Sequence, residues 1–277
     1  MKIKDHFLTG ESFDLESTAI NGILKTSPVP ANLAPYYESK DYISHHQDSG
    51  SIKEKVYKIL QKINLNYKRN IVAAEIPAKG KILDYGCGAG EFIKYVQKDF
   101  TAFGFEPNEA ARNAAVTKSG EKAIISDLSD IQDESLNAIT LWHVFEHIEN
   151  QKEMLHLFRN KLRHDGVLIV AVPNPGSFDA HKYKEFWAAW DVPRHLYHFT
   201  RSGMTNLMES EKWKVVKVKP LLLDSFYISM LSEKYKKSSL FWLKGAVIGA
   251  ISNFKASKTG EFSSLIYIIR KNEKIDF

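Results

Sequence analysis

Residues 82–92 read ILDYGCGAGEF. A short apolar run ends in Asp84, and three glycines follow at alternate positions, Gly86, Gly88 and Gly90. Glycine is costly inside helices and strands. Three within five residues mark a backbone that must take conformations other residues avoid, or that a ligand must touch closely. The spacing is G-x-G-x-G. It is neither the G-x-G-x-x-G of a dinucleotide turn nor the G-x-x-x-x-G-K-[ST] of a phosphate loop. An acid two residues ahead of the first glycine would face a pyrophosphate badly. It suits a ligand that carries an ammonium or sulfonium centre there.

The pattern around this turn fixes the fold class. Strands are predicted over 81–85, 101–106, 122–126, 138–143 and 167–173, with helices after 90, over 108–119 and over 150–166. Repeated strand–helix units of this length build a parallel sheet with helices on both faces. A loop, 174–199, then interrupts the alternation. A helix capped by Thr200 and two further strands, 213–219 and 263–271, complete the chain. Ahead of the sheet, residues 1–35 read as an irregular arm broken by SPVP at 27–30. Residues 51–69 read as a helix, with Ser51 and Glu54 at capping-box spacing. The expected organisation is an arm and capping helix over 1–75 and an α/β domain over 76–277.

In an open parallel sheet, ligands bind at the carboxyl ends of the strands. Asp84 to Gly90 occupies one such end. Glu106 ends the next strand, where an acid can accept from both ribose hydroxyls, and Asp127 follows the third, within reach of an adenine amino group. Each acid alone is more often a solvated loop residue; three at successive strand ends form a stronger signal. Composition removes other classes. The net charge of +5 is scattered along 277 residues, which reads as a solvated surface and not as a nucleic-acid footprint. A single cysteine, Cys87, excludes an intrachain disulfide and a multi-cysteine metal cluster, and fits a reducing compartment. No signal peptide is expected from the N-terminal MKIKDHFLTGESF, which lacks an apolar stretch.

In their order and spacing, ILDYGCGAGEF, FGFEPN, ISDL and ITLWHVFEHI resemble the class I S-adenosylmethionine-dependent methyltransferases over roughly residues 75–220. The resemblance implies a seven-stranded, doubly wound α/β sheet, Rossmann-like, whose last two strands form an antiparallel hairpin. It implies S-adenosylmethionine as cofactor, with Asp84, Gly86, Cys87, Gly88, Gly90 and Phe92 around the methionine part. Glu106 and Pro107 then lie at the ribose, Asp127 and Leu128 at the adenine, and Trp142 and His143 at the methyl-donor end. The N-terminal YYESKDYISHHQ resembles a segment preceding the domain in such relatives, from which Tyr37, Tyr42 and His45 close over the cofactor; the alternative is that the tyrosines only pack the arm. The first residues resemble a cysteine-rich module without its cysteines, so no zinc site is expected.

Methyl transfer to a hydroxyl needs a base, and histidine suits the task. Two clusters compete. In HVFEH, His143, Glu146 and His147 share a helical face. Methyltransferases of the ubiquinone-biosynthesis type, which this branch resembles, carry Glu-x-x-Glu-His there and can hold a divalent metal. Here His143 replaces the first acid, so a polar network without metal is the favoured reading. The second cluster lies in NPGSFDAHKYKEFWAAWDVPRHLYHFT. Seven of the 22 residues from Phe178 to Phe199 are Phe, Trp or Tyr, against 12% in the chain. That enrichment fits either a lid over a pocket or a satellite apolar cluster. His195 and His198 are the candidates there for substrate contact or proton removal. Arg194 either meets an anionic substrate group or pairs with Asp191.

The adopted reading is O-methylation of a small molecule or of a glycan or lipid-linked precursor, with no nucleic-acid partner. LWHVFEH stands where base-modifying methyltransferases often carry an Asn/Asp-Pro-Pro-aromatic turn. An NAD-dependent oxidoreductase and a noncatalytic S-adenosylmethionine binder are the competing classes. The insertion 224–254 contains SSLFWLKGAVIGAISNF (238–254), interrupted by Lys244 and too short to cross a bilayer comfortably. With KYKK (234–237) beside it, an interfacial membrane helix, a buried core and a dimer contact all remain open. The expected location is the cytoplasm, with peripheral contact at the inner face of the membrane as the extension of that reading.

Overall fold

A computed structural model describes residues 1–37 and 52–272. The chain supplies β1 (Lys2–Lys4), β2 (Ser12–Ser17), β3 (Ile23–Ser27), α1 (Ile52–Ala73), β4 (Lys81–Tyr85), α2 (Glu91–Val96), β5 (Thr101–Phe105), α3 (Glu109–Ser119), β6 (Ile124–Ile125) and β7 (Leu136–Trp142). It continues with α4 (Gln151–Lys161), β8 (Leu162–Pro173), α5 (Phe178–Tyr183), β9 (Tyr197–Phe199), α6 (Arg201–Ser210), β10 (Trp213–Pro220), α7 (Asp224–Tyr235), α8 (Phe241–Thr259) and β11 (Ser264–Lys271).

The main sheet has the order β10-β11-β8-β7-β4-β5-β6. Pairing is parallel from β8 through β6, and β11 runs antiparallel to both of its neighbours. This is the parallel sheet expected from the alternation, with the seven strands and antiparallel end that the resemblance implied. β4 is flanked by β5 on one side and β7 on the other, so the chain reverses its winding direction there. A crevice therefore opens at the carboxyl end of β4. Apolar residues on both faces explain why the inner strands read as continuous apolar runs. On β8, Leu168, Val170 and Val172 enter one core cluster, and Val167, Ile169 and Ala171 enter the other.

Two local expectations are corrected. The helix predicted over 150–166 ends at Lys161, and β8 begins at Leu162, opposite Leu136. Pairing with β7 takes over residues whose pattern alone continued the helix. The arm expected to be irregular forms three strands, joined by β9 in a second sheet of order β1-β2-β3-β9. Its strands are short, and the partner of β3 lies far along the chain, with Ile23 opposite Phe199. Ser51 and Glu54 lie outside the side chains described, so their capping-box reading has no structural counterpart here.

The aromatic segment closes this second sheet. Tyr183, Trp187 and Trp190 are buried against Ile3, Phe13 and Leu15 in a third apolar cluster. Of the two readings of the aromatic enrichment, the buried cluster matches these side chains. Arg194 locks it. The guanidinium is 1% exposed, donates to Asp191 Oδ1 from Nε at 3.0 Å and Nη2 at 2.7 Å, and reaches Asp5 Oδ1 at 2.9 Å and the Tyr36 carbonyl at 3.1 Å. Burial opposes its charge, but the two carboxylates outweigh that and raise its pKa. Arg194 is thus paired with Asp191, as one sequence reading had it, and also with Asp5. Arg194→Lys keeps the charge but loses the planar fork, and is expected to cost about 1–3 kcal/mol in urea unfolding. A midpoint equal to wild type would show that the fork is dispensable.

Candidate active site

The glycine turn is built as its sequence demands. Gly86, Gly88 and Gly90 all have positive φ, at 75°, 54° and 78°. The turn is pinned beneath β5 by Gly86 N–H and Cys87 N–H, both donating to the Phe105 carbonyl at 2.8 and 3.0 Å. A Cβ on Gly86 would lie 2.6 Å from Val144 Cγ2, whereas one on Gly88 would meet nothing within 4 Å among the described residues. Gly88 therefore faces open space, and that space is a cavity of about 250 Å³ lined in part by Asp84, Gly86, Cys87, Gly88, Phe92 and Trp142.

Asp84 lies at the cavity floor, 3% exposed, and accepts from Thr140 Oγ1 at 2.6 Å. Burial pushes its pKa up to about 7, against the opposing pull of that hydrogen bond and of Lys68. Lys68 comes from α1, which supplies Gln61, Asn64 and Leu65 to the lining as well. Its Nζ sits 4.7 Å from the Trp142 ring centroid. Burial lowers its pKa, while Asp224 and Asp84 hold it up. A lysine on an amphipathic helix looks like a solvated residue, so nothing in the sequence marked it. Cys87 is buried and its thiol is pushed up to about 12, first by burial, so it packs in the turn as a protonated thiol.

Glu106 holds the turn and the next helix start together. Its Oε2 accepts from Gly88 N–H and its Oε1 from Asn108 N–H, both at 2.9 Å. Pro107 lies between those two anchor points. Asp127 is exposed and accepts from Ser129 N–H at 2.7 Å, while Leu128 is buried in the core. Both follow β6 at the same edge of the sheet. Tyr42 and His45 lie outside the described residues.

Beyond Trp142 the chain turns through a strained residue, His143, with φ of 60°. Its Nε2 lies 2.7 Å from Asp224 Oδ2 and its Nδ1 3.3 Å from Glu146 Oε1. Burial disfavours the imidazolium, yet Asp224 and then Glu146 overcome it and raise its pKa to about 10. Glu146 is itself buried, and despite that burial its hydrogen bond from His143 and the neighbouring histidines bring its pKa down to about 2. Asp224, the first residue of α7, was not marked by the sequence because its partner is 81 positions away.

The two candidate histidines of the aromatic segment are placed differently. His195 Nδ1 bonds the Ala189 carbonyl at 2.9 Å, leaving Nε2 3.9 Å from both Glu146 Oε1 and Asp191 Oδ2. Burial, then His147, lower its pKa to about 4. His198 lies in β9 with Nε2 3.0 Å from Thr26 Oγ1, and burial takes its pKa to about 3. Tyr37 reaches His147 Nδ1 at 3.2 Å. Glu146, His147 and His195 each offer one ligand atom, all within 4.8 Å of one another, so these are the described residues with a donor set for a metal. The sequence reading grouped Glu146 and His147 with His143 instead, because His195 arrives from the far side of β8.

The residues present fit the amino-acid end of S-adenosylmethionine. The space beside Gly88 accepts a ligand against bare backbone, and the buried Trp142 Nε1–H has no partner among the described residues. Asp84 and Lys68 place opposite charges on the cavity walls, matching a zwitterion's ammonium and carboxylate.

Residues 57–218, more than half of the chain, match the family described as a methyltransferase domain. Among solved structures, a S-adenosylmethionine-dependent methyltransferase from Thermotoga maritima, titled a "possible histamine N-methyltransferase", superposes with a TM-score of 0.52 at 14% identity, covering 80% of this chain and 95% of that one. A S-adenosylmethionine-dependent methyltransferase from Archaeoglobus fulgidus has a TM-score of 0.50 at 19% identity, covering 76% and 94%. A mycolic acid cyclopropane synthase, solved in complex with SAH and CTAB, has a TM-score of 0.50 at 15% identity, covering 74% and 83%. These likenesses show the shared fold. No curated protein matches the chain. By its glycine turn, its sheet and the family match over residues 57–218, the chain belongs to the class I S-adenosylmethionine-dependent methyltransferases.

Proposed function

We propose that this chain transfers a methyl group to an oxygen atom of a small molecule or of a glycan or lipid-linked precursor, with His195 as the proton acceptor. The observation that carries the oxygen reading is His195 itself. A hydroxyl acceptor must lose a proton, and His195 is buried, uncharged at neutral pH, and has its Nδ1 engaged, so its Nε2 is the atom left to take one. Glu146 and Asp191, each 3.9 Å from that Nε2, stabilise the imidazolium that forms. His143 suits the role less well, because two carboxylates already hold its proton. His198 is engaged with Thr26 in the second sheet, and in this reading it positions the segment.

Bound in the cavity, S-adenosylmethionine supplies a methyl group already activated for in-line displacement. Asp84 holds the ammonium and Lys68 the carboxylate, while the turn presents bare backbone. Glu106 keeps a lone pair on each oxygen for the ribose hydroxyls, and Asp127 with Leu128 takes the adenine. Trp142 and His143 wall the methyl end, and the α1 helix and Tyr37 help to exclude water. The reading needs no metal, since His195 takes the proton itself.

The test is transfer of labelled methyl into fractionated cell extract. His195→Gln is expected to lower turnover at least 100-fold while cofactor affinity by calorimetry stays within about twofold. Wild-type turnover after EDTA treatment is expected too. Turnover lost on chelation and restored by a divalent cation would overturn the metal-free reading and reassign Glu146, His147 and His195 as ligands. Cofactor binding with no acceptor labelled in any fraction would favour the noncatalytic binder.

A further inference from the structure

Helix α8 is packed inside out. The side it buries carries Gly245, Gly249, Ser252 and Ala256, one small residue per turn. These lie so close to α7 that a Cβ on Gly245 would sit 2.5 Å from Met230 Cα, and one on Gly249 2.8 Å from Phe226 Cα. The opposite side is the apolar one. Leu243, Val247, Ile251 and Phe254 recur at three- and four-residue spacing on a single face, and all are exposed, Phe254 at 68%. Leu240 and Trp242, at the helix start, are exposed as well. An amphipathic helix of a water-soluble protein buries its large apolar face; this one presents it.

The charges around this face indicate what covers it. Residues 234–260 contain six lysines, Lys234, Lys236, Lys237, Lys244, Lys255 and Lys258, and no aspartate or glutamate. Of the acids that flank the stretch, Glu233 is buried, and Glu261 accepts from Asn174 Nδ2 at 2.8 Å. Lys244, Lys255 and Lys258 are exposed on α8 alongside the apolar face. A second copy of the chain would set these lysines against their own counterparts. An anionic lipid surface would complement them, with the apolar side chains entering the acyl boundary and the lysines reaching back to headgroup phosphates. Among the described residues no helix is long and apolar enough to cross a membrane. We propose that the outer face of α8 docks the protein, in the plane of the interface, on an anionic lipid bilayer.

The proposal is independent of the methyl acceptor, and its test requires none. The full chain is co-sedimented with vesicles of phosphatidylcholine alone and of phosphatidylcholine with phosphatidylglycerol. Binding is expected to the anionic vesicles, weakening as salt rises. The double variant Val247→Asp, Ile251→Asp is expected to bind about tenfold more weakly or worse. Both side chains are exposed, so its cofactor affinity by calorimetry should match wild type, which shows that the variant is folded. The same variant keeps methyl transfer to a soluble acceptor if the proposed function holds, whatever the vesicles show. Absence of binding to anionic vesicles would overturn the proposal, as would undiminished binding by the variant. A dimer in analytical ultracentrifugation that the variant dissociates would assign the face to a second copy instead.

Discussion

Gly86→Ala is expected to lower stability by about 2–4 kcal/mol, and Gly88→Ala by only about 1 kcal/mol, although the two glycines are two residues apart in one turn. Both require a left-handed backbone, which costs any residue with a Cβ about 1–2 kcal/mol. What separates them is the neighbourhood. The Cβ at 86 collides with both methyls of Val144, at 2.6 and 2.8 Å, and Val144 immediately precedes the buried Phe145, which begins a 3-10 turn over Phe145–His147. Relief requires moving the strand-to-helix turn after β7. The Cβ at 88 meets only the cavity. The order reverses for ligand. Gly88→Ala fills the space that the cofactor backbone contact needs, so S-adenosylmethionine affinity is expected to fall at least tenfold in a protein that unfolds almost like wild type. Urea midpoints and calorimetry on the two variants check both halves. Equal midpoints would contradict the steric argument, and unchanged affinity in Gly88→Ala would contradict the assignment of the cavity.

Asp84→Asn is expected to weaken S-adenosylmethionine binding about 100-fold or more, because the amide removes the negative charge that a buried ammonium needs opposite it. The pH dependence provides the sharper check. The folded-state pKa of about 7 lies above the unfolded value, so the native protein holds this proton more tightly. The stabilising contribution is complete below the ordinary carboxylate pKa and is lost as pH rises through about 7. Cofactor binding has the opposite sign, since the ammonium requires the ionised carboxylate. Affinity for S-adenosylmethionine is expected to rise between pH 6 and 8, to about tenfold in the wild type, and to stay flat in Asp84→Asn. A wild-type affinity independent of pH over that interval would remove Asp84 from direct contact with the ammonium.

Features held within one strand–turn–helix unit were legible before any coordinates. Asp84 and the three glycines are local in this sense, and the parallel sheet followed from the period of alternation around them, while Trp142 and the count of seven strands came from the resemblance. What stayed hidden depends on contacts between distant parts of the chain. Lys68 looked like one more lysine on a surface helix, because the cavity it enters is closed by residues from beyond position 80, Asp84 to Trp142. Asp224 opens an insertion, and the partner it bonds, His143, lies in a turn 81 positions earlier. His195 was found as a candidate, but its proximity to Glu146 was not, since β8 and the aromatic segment separate them. The strands of the arm were missed because three to six residues carry too little alternation to stand out without their sheet.

The second sheet also sets an order of assembly. β1, β2 and β3 leave the ribosome well before their last partner, since the strand that pairs with β3 is β9, at residues 197–199. Asp5, made 189 residues ahead of Arg194, likewise finds its partner there. Throughout the synthesis of the intervening segment, the outer edge of β3 has no partner and the Asp5 carboxylate no counter-charge. The hairpin strands form locally, but their closure on the aromatic segment is a late event with a large loop to close. A nascent chain stalled near residue 190 is thus expected to present β1 to β3 to proteases or chaperones, and one stalled after about 240, with β9 beyond the exit tunnel, to have withdrawn them.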